Sequence, residues 1–146
     1  MNWQQGEFTI GNERAALDVA LIHQFLHGSY WAKGIPREIV ERSLENSLCF
    51  GVFHQDRQVG FGRVVTDRAT FAYLADVFVI ETHRGRGLGK WLVACVLEHP
   101  ELQGLRRWLL ATADAHALYR QFGFMPLSKP DRMMEKLDPE IYQRKS

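Results

Sequence analysis

Arg84-Gly85-Arg86-Gly87-Leu88-Gly89-Lys90 follows an apolar run that ends at Ile80 and precedes a helical pattern of apolar residues, Trp91, Leu92, Ala94, Cys95 and Leu97. In that setting the glycine-rich heptapeptide reads as an anion cradle. A strand delivers the chain, glycines let the backbone close around a charge, and the first turn of a helix points its free N–H groups at it. The helix dipole adds about half a positive charge at that end, and Arg84, Arg86 and Lys90 add whole ones. The ligand this predicts is the diphosphate of a nucleotide-containing cofactor.

Two other anion loops fail on inspection. A Walker A loop needs Gly five residues before its Gly-Lys pair and Ser or Thr after it; those positions hold Arg84 and Trp91. A dinucleotide fingerprint counted from Gly85 needs a third Gly where Lys90 stands. What remains is Arg84-x-x-Gly87-x-Gly89.

A second pattern lies downstream at a telling distance. After a strand-like run, Trp108-Leu109-Leu110-Ala111, comes Ala115-x-x-Leu118-Tyr119-x-x-x-Gly123-Phe124. Ala117, Leu118, Gln121 and Phe122 follow helical spacing, and Gly123 sits where a left-handed residue ends a helix. The two patterns together resemble the acetyl-CoA loop and the helix–strand motif of the GNAT superfamily of N-acetyltransferases. One departure stands out. Thr112 occupies the position where many members carry an Asn that contacts pantetheine.

The resemblance implies a fold, a cofactor and a reaction. The fold is an α/β (mixed α+β) one, with a central, mostly antiparallel twisted sheet containing a splayed strand pair and about four flanking helices. Acetyl-CoA would lay its pantetheine arm along the backbone of Val77, Phe78 and Val79. Its diphosphate would sit on Arg84, Gly85, Arg86, Gly87, Leu88, Gly89 and Lys90, with Thr112 and Tyr119 beside the arm. An amine would attack the thioester directly, so no covalent nucleophile is needed. By resemblance Tyr119 is the acid for the leaving thiolate. Asp76 is the best-placed carboxylate for the amine proton, with Glu81 and His116 behind it. An Asp in so apolar a strand is costly unless paired, so a bracing role for Asp76 stands beside the catalytic one. Asp114 fits an N-cap.

In this fold the segment between the first two helices covers the acceptor. Here it is Tyr30-Trp31-Ala32-Lys33-Gly34-Ile35-Pro36, aromatic for a connector. Tyr30 and Trp31 form a candidate acceptor wall, with Phe71 or Tyr73 opposite, and such a wall suits a small amine with an apolar body better than a long peptide. The competing readings are a protein or peptide amine acetyltransferase and a non-catalytic acyl-CoA binding or sensing module.

Composition sets the outer limits. The 146 residues are 46% apolar with a net charge of +1. That is enough chain for one layered domain, expected over residues 1–146, and no basic footprint for nucleic acid or an anionic membrane. No run approaches the length of a membrane span, and the polar start does not read as a signal peptide. Cys49 and Cys95 lie in apolar runs and read as free thiols of a cytoplasmic protein. His23 and His27 are four apart on a helix without a third ligand, so no metal is expected. A homodimer is compatible with the family.

Periodicity and turn signals predict the order β-α-α-β-β-β-α-β-α-β. The elements are a strand at 7–10, helices at 17–27 and 36–45, strands at 48–53, 59–65 and 70–80, a helix at 88–98, a strand at 107–111, a helix at 115–122 and a last strand near 133–137. Alternation along the third meander strand puts Asp76 and Phe78 on one face and Val77 and Val79 on the other.

Overall fold

A strand inside a sheet pairs its backbone on both edges or leaves polar groups for another partner. In this chain one long strand does the first for only half its length. The computed structural model describes residues 2–143. The elements are β1 (Asn2–Gln5), β2 (Phe8–Gly11), α1 (Val19–His27), α2 (Arg37–Glu45), β3 (Leu48–His54), β4 (Arg57–Thr66), β5 (Phe71–Val79), α3 (Leu88–Glu98), β6 (Arg107–Leu110) and α4 (His116–Arg120). They form one six-stranded sheet in sequence order. Neighbours are antiparallel from β1 to β5, and β6 is parallel to β5.

The pairing of β5 is asymmetric. Against β4 it runs from Ala72 opposite Thr66 to Val79 opposite Gly60. Against β6 it covers only Phe71 to Leu74. From residue 75 onward the β6-side edge of β5 has no strand beside it among the described residues. This is the expected splay, and it ends at the cradle.

Two apolar layers hold the sheet. On one face Leu88, Leu92, Val93, Cys95 and Val96 of α3 and Tyr119 of α4 pack on Val52, Val64, Ala72 and Leu74. On the other face Ile22 and Leu26 of α1 and Val40 and Leu44 of α2 pack on Cys49, Phe61 and Phe78. The amphipathic stripes of the helices therefore decide which face each covers. No helix among the described residues is long and apolar enough to cross a membrane.

Four differences from the sequence reading have local causes. The strand expected near 133–137 does not form. Met134 and Leu137 are exposed, and the run pairs with neither β6 nor any other strand among the described residues, so its backbone has no ladder to join. A strand at 2–5 was not anticipated; it hairpins onto β2 through Gly6, at φ +60°. Helix α1 starts at Val19 because the Asp18 carboxylate accepts the Leu21 N–H at 3.1 Å. Helix α4 is a turn shorter than expected; its N-cap is Ala115, without a side-chain cap, rather than Asp114, and in the turn before it Thr112 Oγ1 accepts the Ala115 N–H at 3.0 Å.

Candidate active site

The loop after β5 takes its shape from two glycines in the left-handed region, Gly85 at φ +80° and Gly87 at φ +76°. Gly87 is the residue before α3, and its carbonyl accepts the first intrahelical bond, from Trp91 N–H at 3.0 Å. The preceding N–H groups, of Leu88, Gly89 and Lys90, have no partner within the helix. A Cβ added at Gly85, Gly87 or Gly89 would meet nothing within 4 Å, so the space over the loop is open. Leu88 is 5% exposed and pins the start of the helix into the core. Arg84 Nε donates to the Val79 carbonyl at 2.9 Å, which ties the loop back to the end of β5, while Arg86 and Lys90 stay exposed. Open space, oriented N–H groups and three cations fit a diphosphate.

Upstream, β5 carries a bulge. Ala75 faces Arg63 and Phe78 faces Phe61, so one strand advances three residues while the other advances two. Asp76 occupies the bulge with φ +56°, a conformation that Asp tolerates better than most residues. The extra residue reverses the alternation. Ala72 and Leu74 face the α3 layer before it, and Val77 and Val79 face the same layer after it, while Phe78 turns to the α1–α2 layer. The Asp76 carboxylate is engaged on both oxygens: Arg63 Nε donates to Oδ2 at 2.8 Å and Trp31 Nε1 to Oδ1 at 2.9 Å. The Arg63 and Asp76 side chains are 19% and 11% exposed, and Arg63 also donates to Ser47 Oγ at 3.1 Å.

The segment between α1 and α2 is held at several points. The Ser29 hydroxyl donates to the Leu26 carbonyl and accepts the Ala32 N–H. The Gly34 N–H donates to the His27 carbonyl. His23 and His27, the pair that resembled metal ligands in spacing, each donate a ring N–H to the Ile35 carbonyl, at 3.0 and 3.3 Å. Among the described residues no group of three or more metal-ligating side chains assembles. The anchored segment presents Tyr30 and Trp31 at the rim of a cavity of about 700 Å³, completed by Leu21, Gln24, Phe25 and Ile80.

Tyr119 reaches the site from α4. It is 8% exposed and meets Phe124 edge-on at 5.8 Å. Burial raises its pKa above that of an ordinary phenol, and nearby Asp114 and Tyr30 add to the shift. Tyr119 belongs to the α3 layer of the sheet, whereas Tyr30 follows α1, which covers the other face. Thr112, His116 and Tyr119 line a second, larger groove of about 1270 Å³ beside β6.

Tyr30, Trp31 and Asp76 are thus gathered at the bulge where β5 leaves β6, with residues 77–79 running on from it toward the glycine loop, while Tyr119 lines the groove beside β6. Phe71 and Tyr73 are not brought to the Tyr30–Trp31 cavity. They lie on the half of β5 that pairs with β6, where Tyr73 lines the larger groove. Arg63 and Phe25 were missed by the sequence reading. Arg63 left a readable signal, as a charge inside the apolar run 59–65 that matches Asp76 inside 70–80. Phe25 left none, because it looks like any apolar residue of a helix.

Comparison with known proteins agrees with this fold. The model of a family described as acetyltransferase (GNAT) matches residues 7–124. A Gibberella zeae protein named as a candidate acetyltransferase is 31% identical over 141 residues, covering 81% of this chain and 78% of its own length. A crystal structure of a Xanthomonas campestris protein described as a candidate acetyltransferase of the same family superposes with a TM-score of 0.92 at 49% identity, over 94% of this chain and 97% of that one. A Clostridium acetobutylicum predicted acetyltransferase solved with acetyl-CoA shares the fold, with a TM-score of 0.64 at 12% identity over 90% of this chain and 94% of that one.

Proposed function

Because the chain belongs to the GNAT family of acetyltransferases, we propose that it transfers an acetyl group from acetyl-CoA to the primary amine of a small molecule within one ternary complex. One observation supports this above the others: the β6-side edge of β5, open from residue 75, runs straight into the glycine cradle. An amide-bearing arm can pair with such an edge as an added strand, and a diphosphate fits the loop at its end. Residues 77–79 would hold the arm and residues 84–90 the diphosphate.

Bound there, acetyl-CoA supplies an activated acyl group, and its transfer leaves a thiolate that needs a proton. Tyr119 is our candidate donor. A phenol is protonated at neutral pH, and burial favours that form further; α4 carries this one on the α3 side of the sheet, at the groove beside β6. The chain also orients the two reactants, which supplies much of the rate when the acyl group is already activated. Tyr30 and Trp31 form the candidate acceptor wall. Asp76 remains a candidate base on position alone, since proton uptake there competes with the Arg63 and Trp31 contacts.

A homodimer is part of this reading. The groove beside β6 is bordered by Met125, Met134 and Leu127, which are 74%, 95% and 39% exposed. A second copy could cover these apolar residues together with the outer edge of β6. Light scattering decides it, and a monomer at tens of micromolar would remove this element.

The test of the function is calorimetry followed by turnover. Acetyl-CoA should bind at about −8 kcal/mol, a micromolar affinity, with ATP failing to bind, and an amine panel should then release CoA thiol. Binding without turnover on any amine would leave a sensing module; absence of binding would remove the proposal.

A further inference from the structure

We infer that Asp76 is a positioning residue that fixes the Trp31 indole as a wall of the acceptor site, and that the acceptor is a primary amine carrying a flat, uncharged body. This inference rests on the acetyl-transfer reading above and narrows its acceptor.

Trp31 is 42% exposed, yet its ring is not free to turn. Nε1 donates to Asp76 Oδ1 at 2.9 Å, and the segment carrying it is tied down at Ser29, Gly34 and Ile35. An exposed indole held by a carboxylate largely withdrawn from water presents a fixed apolar face to the cavity. Tyr30 meets that ring edge-on, with centroids 5.1 Å apart and planes at 79°. Phe25 lies 6.3 Å from it, and is itself stacked on Phe78 at 3.9 Å. Three aromatic rings from α1 and its following loop therefore form one supported surface, anchored to β5 through Phe78 and through the bulge at Asp76.

Charge decides against the main competing acceptors. The cavity is lined by Leu21, Gln24, Phe25, Tyr30, Trp31 and Ile80 with the backbone around Gly28, and none of these side chains is acidic. The nearby carboxylate is balanced by Arg63 at 2.8 Å. A polyamine or another polycation would find no acidic side chain in the lining to receive its additional charges. A flat apolar body, by contrast, can stack on Trp31 and Tyr30, and the single ammonium near them gains from the ring faces before it loses its proton. The volume, about 700 Å³, is that of a small-molecule site rather than an extended peptide groove.

The bulge gives this arrangement its economy. Asp76 stands at φ +56°, where the strand carries one residue more than its partner. The same insertion that breaks the regular alternation of β5 provides the carboxylate that holds the acceptor wall. The site for the acyl donor and the site for the acceptor are thereby set from one point of the backbone.

The experiment compares phenethylamine, n-butylamine, spermidine and a lysine-containing pentapeptide as acceptors, with acetyl-CoA saturating and thiol release as readout. Wild type should prefer phenethylamine over each of the others by about tenfold or more in kcat/KM. In W31A the phenethylamine to n-butylamine selectivity should collapse by about tenfold. W31F, which keeps a ring but loses the N–H, should fall between. D76N should raise the KM for phenethylamine by a larger factor than it lowers kcat, with the acid limb of the pH profile preserved. The Trp31 indole N–H resonance should shift in D76N and on phenethylamine addition, and thermal melting verifies that each variant folds. If W31A does not fold, the W31F kinetics and the indole resonance carry the decision.

Preference for spermidine or the peptide, unaffected at Trp31, overturns the acceptor class and leaves acetyl transfer intact. Loss of kcat by about a hundredfold in D76N, together with loss of the acid limb, would make Asp76 the base and overturn the positioning role. If no amine is acetylated although acetyl-CoA binds, the underlying reading fails separately. Calorimetry of phenethylamine on the CoA complex then decides the acceptor surface by itself, and no binding overturns it.

Discussion

Arg63 and Asp76, each embedded in an otherwise apolar strand, meet at 2.8 Å across the β4–β5 pair, at the point where β5 gains its extra residue. The ion pair, the bulge and the opening of the sheet coincide. With both side chains largely withdrawn from water, removing one partner strands the other's charge.

Arg63→Met should therefore destabilise the fold by about 3 kcal/mol. Adding Asp76→Asn to that variant should recover part of the loss, since the orphaned charge is then gone. Urea unfolding of the two variants and wild type gives the comparison. Equal stability of single and double variants would show that the carboxylate finds adequate compensation from Trp31 and water.

Gly87→Ala places an L-residue at φ +76°, at a cost of about 1–2 kcal/mol. The strain can be met by unwinding the start of α3, which misaligns its N–H groups. Acetyl-CoA affinity by calorimetry should fall by about tenfold or more as a consequence. A lower melting temperature with unchanged affinity would mean that the loop does not hold the diphosphate.

Tyr119→Phe retains the ring that packs against Phe124 and removes the proton. Stability should change little, and kcat should fall by about a hundredfold, with KM for both substrates nearly unchanged. Since burial raises the phenol's pKa, any basic limb that Tyr119 contributes should lie above the ordinary phenol range. A fall of activity at lower pH assigned to this residue would contradict the assignment.

Burial pushes the Cys49 thiol up to about 11 and the Cys95 thiol up to about 12. Neither should react with an aromatic disulfide reagent in the native protein at pH 8, because the thiolate is the reactive form. Both should react in 6 M guanidinium, giving two thiols per chain. Fast labelling of the folded protein would show that one of the two apolar layers opens readily.

Acid stability should decline in two windows. Burial lowers the pKa of His99 and of His83, below 6.5. A histidine depressed in the folded state takes its proton more readily when unfolded. Its contribution is thus complete above about pH 6.5 and is lost as the pH falls from there. Asp67 is lowered from 3.8, chiefly by accepting the Thr70 backbone N–H and hydroxyl and the Ala69 N–H in the turn before β5. Its contribution is present above about pH 4 and lost below it. His99 Nδ1 accepts the Glu101 N–H at 3.1 Å, a role that an Asn oxygen can take over. His99→Asn should flatten the dependence of melting temperature on pH below 6.5, and Asp67→Asn should flatten it only below about 4. An unchanged slope in His99→Asn would assign the upper window elsewhere.

The sequence by itself determined the features that depend on neighbours along the chain. The glycines at 85 and 87, the apolar spacing of 88–98 and the paired Leu118-Tyr119 and Gly123-Phe124 announce their conformations locally, through backbone freedom and helical period. The succession of helices and strands from β2 to α4 follows from the same short-range rules. Only the tertiary structure decided what depends on distant partners. An Asp at φ +56° looks from the sequence like any residue of an alternating strand, and the bulge appears only when β4 is laid beside it. Arg63, Trp31 and Asp76 stand far apart along the chain and come together only because two strands and a loop meet at that bulge. The run 133–137 has a strand-like pattern, but a strand's hydrogen bonds belong half to its neighbour, and there no neighbour among the described residues accepts them. Helical and turn preferences are settled within a few residues, whereas strand pairing, ion pairs and cavities are settled between segments.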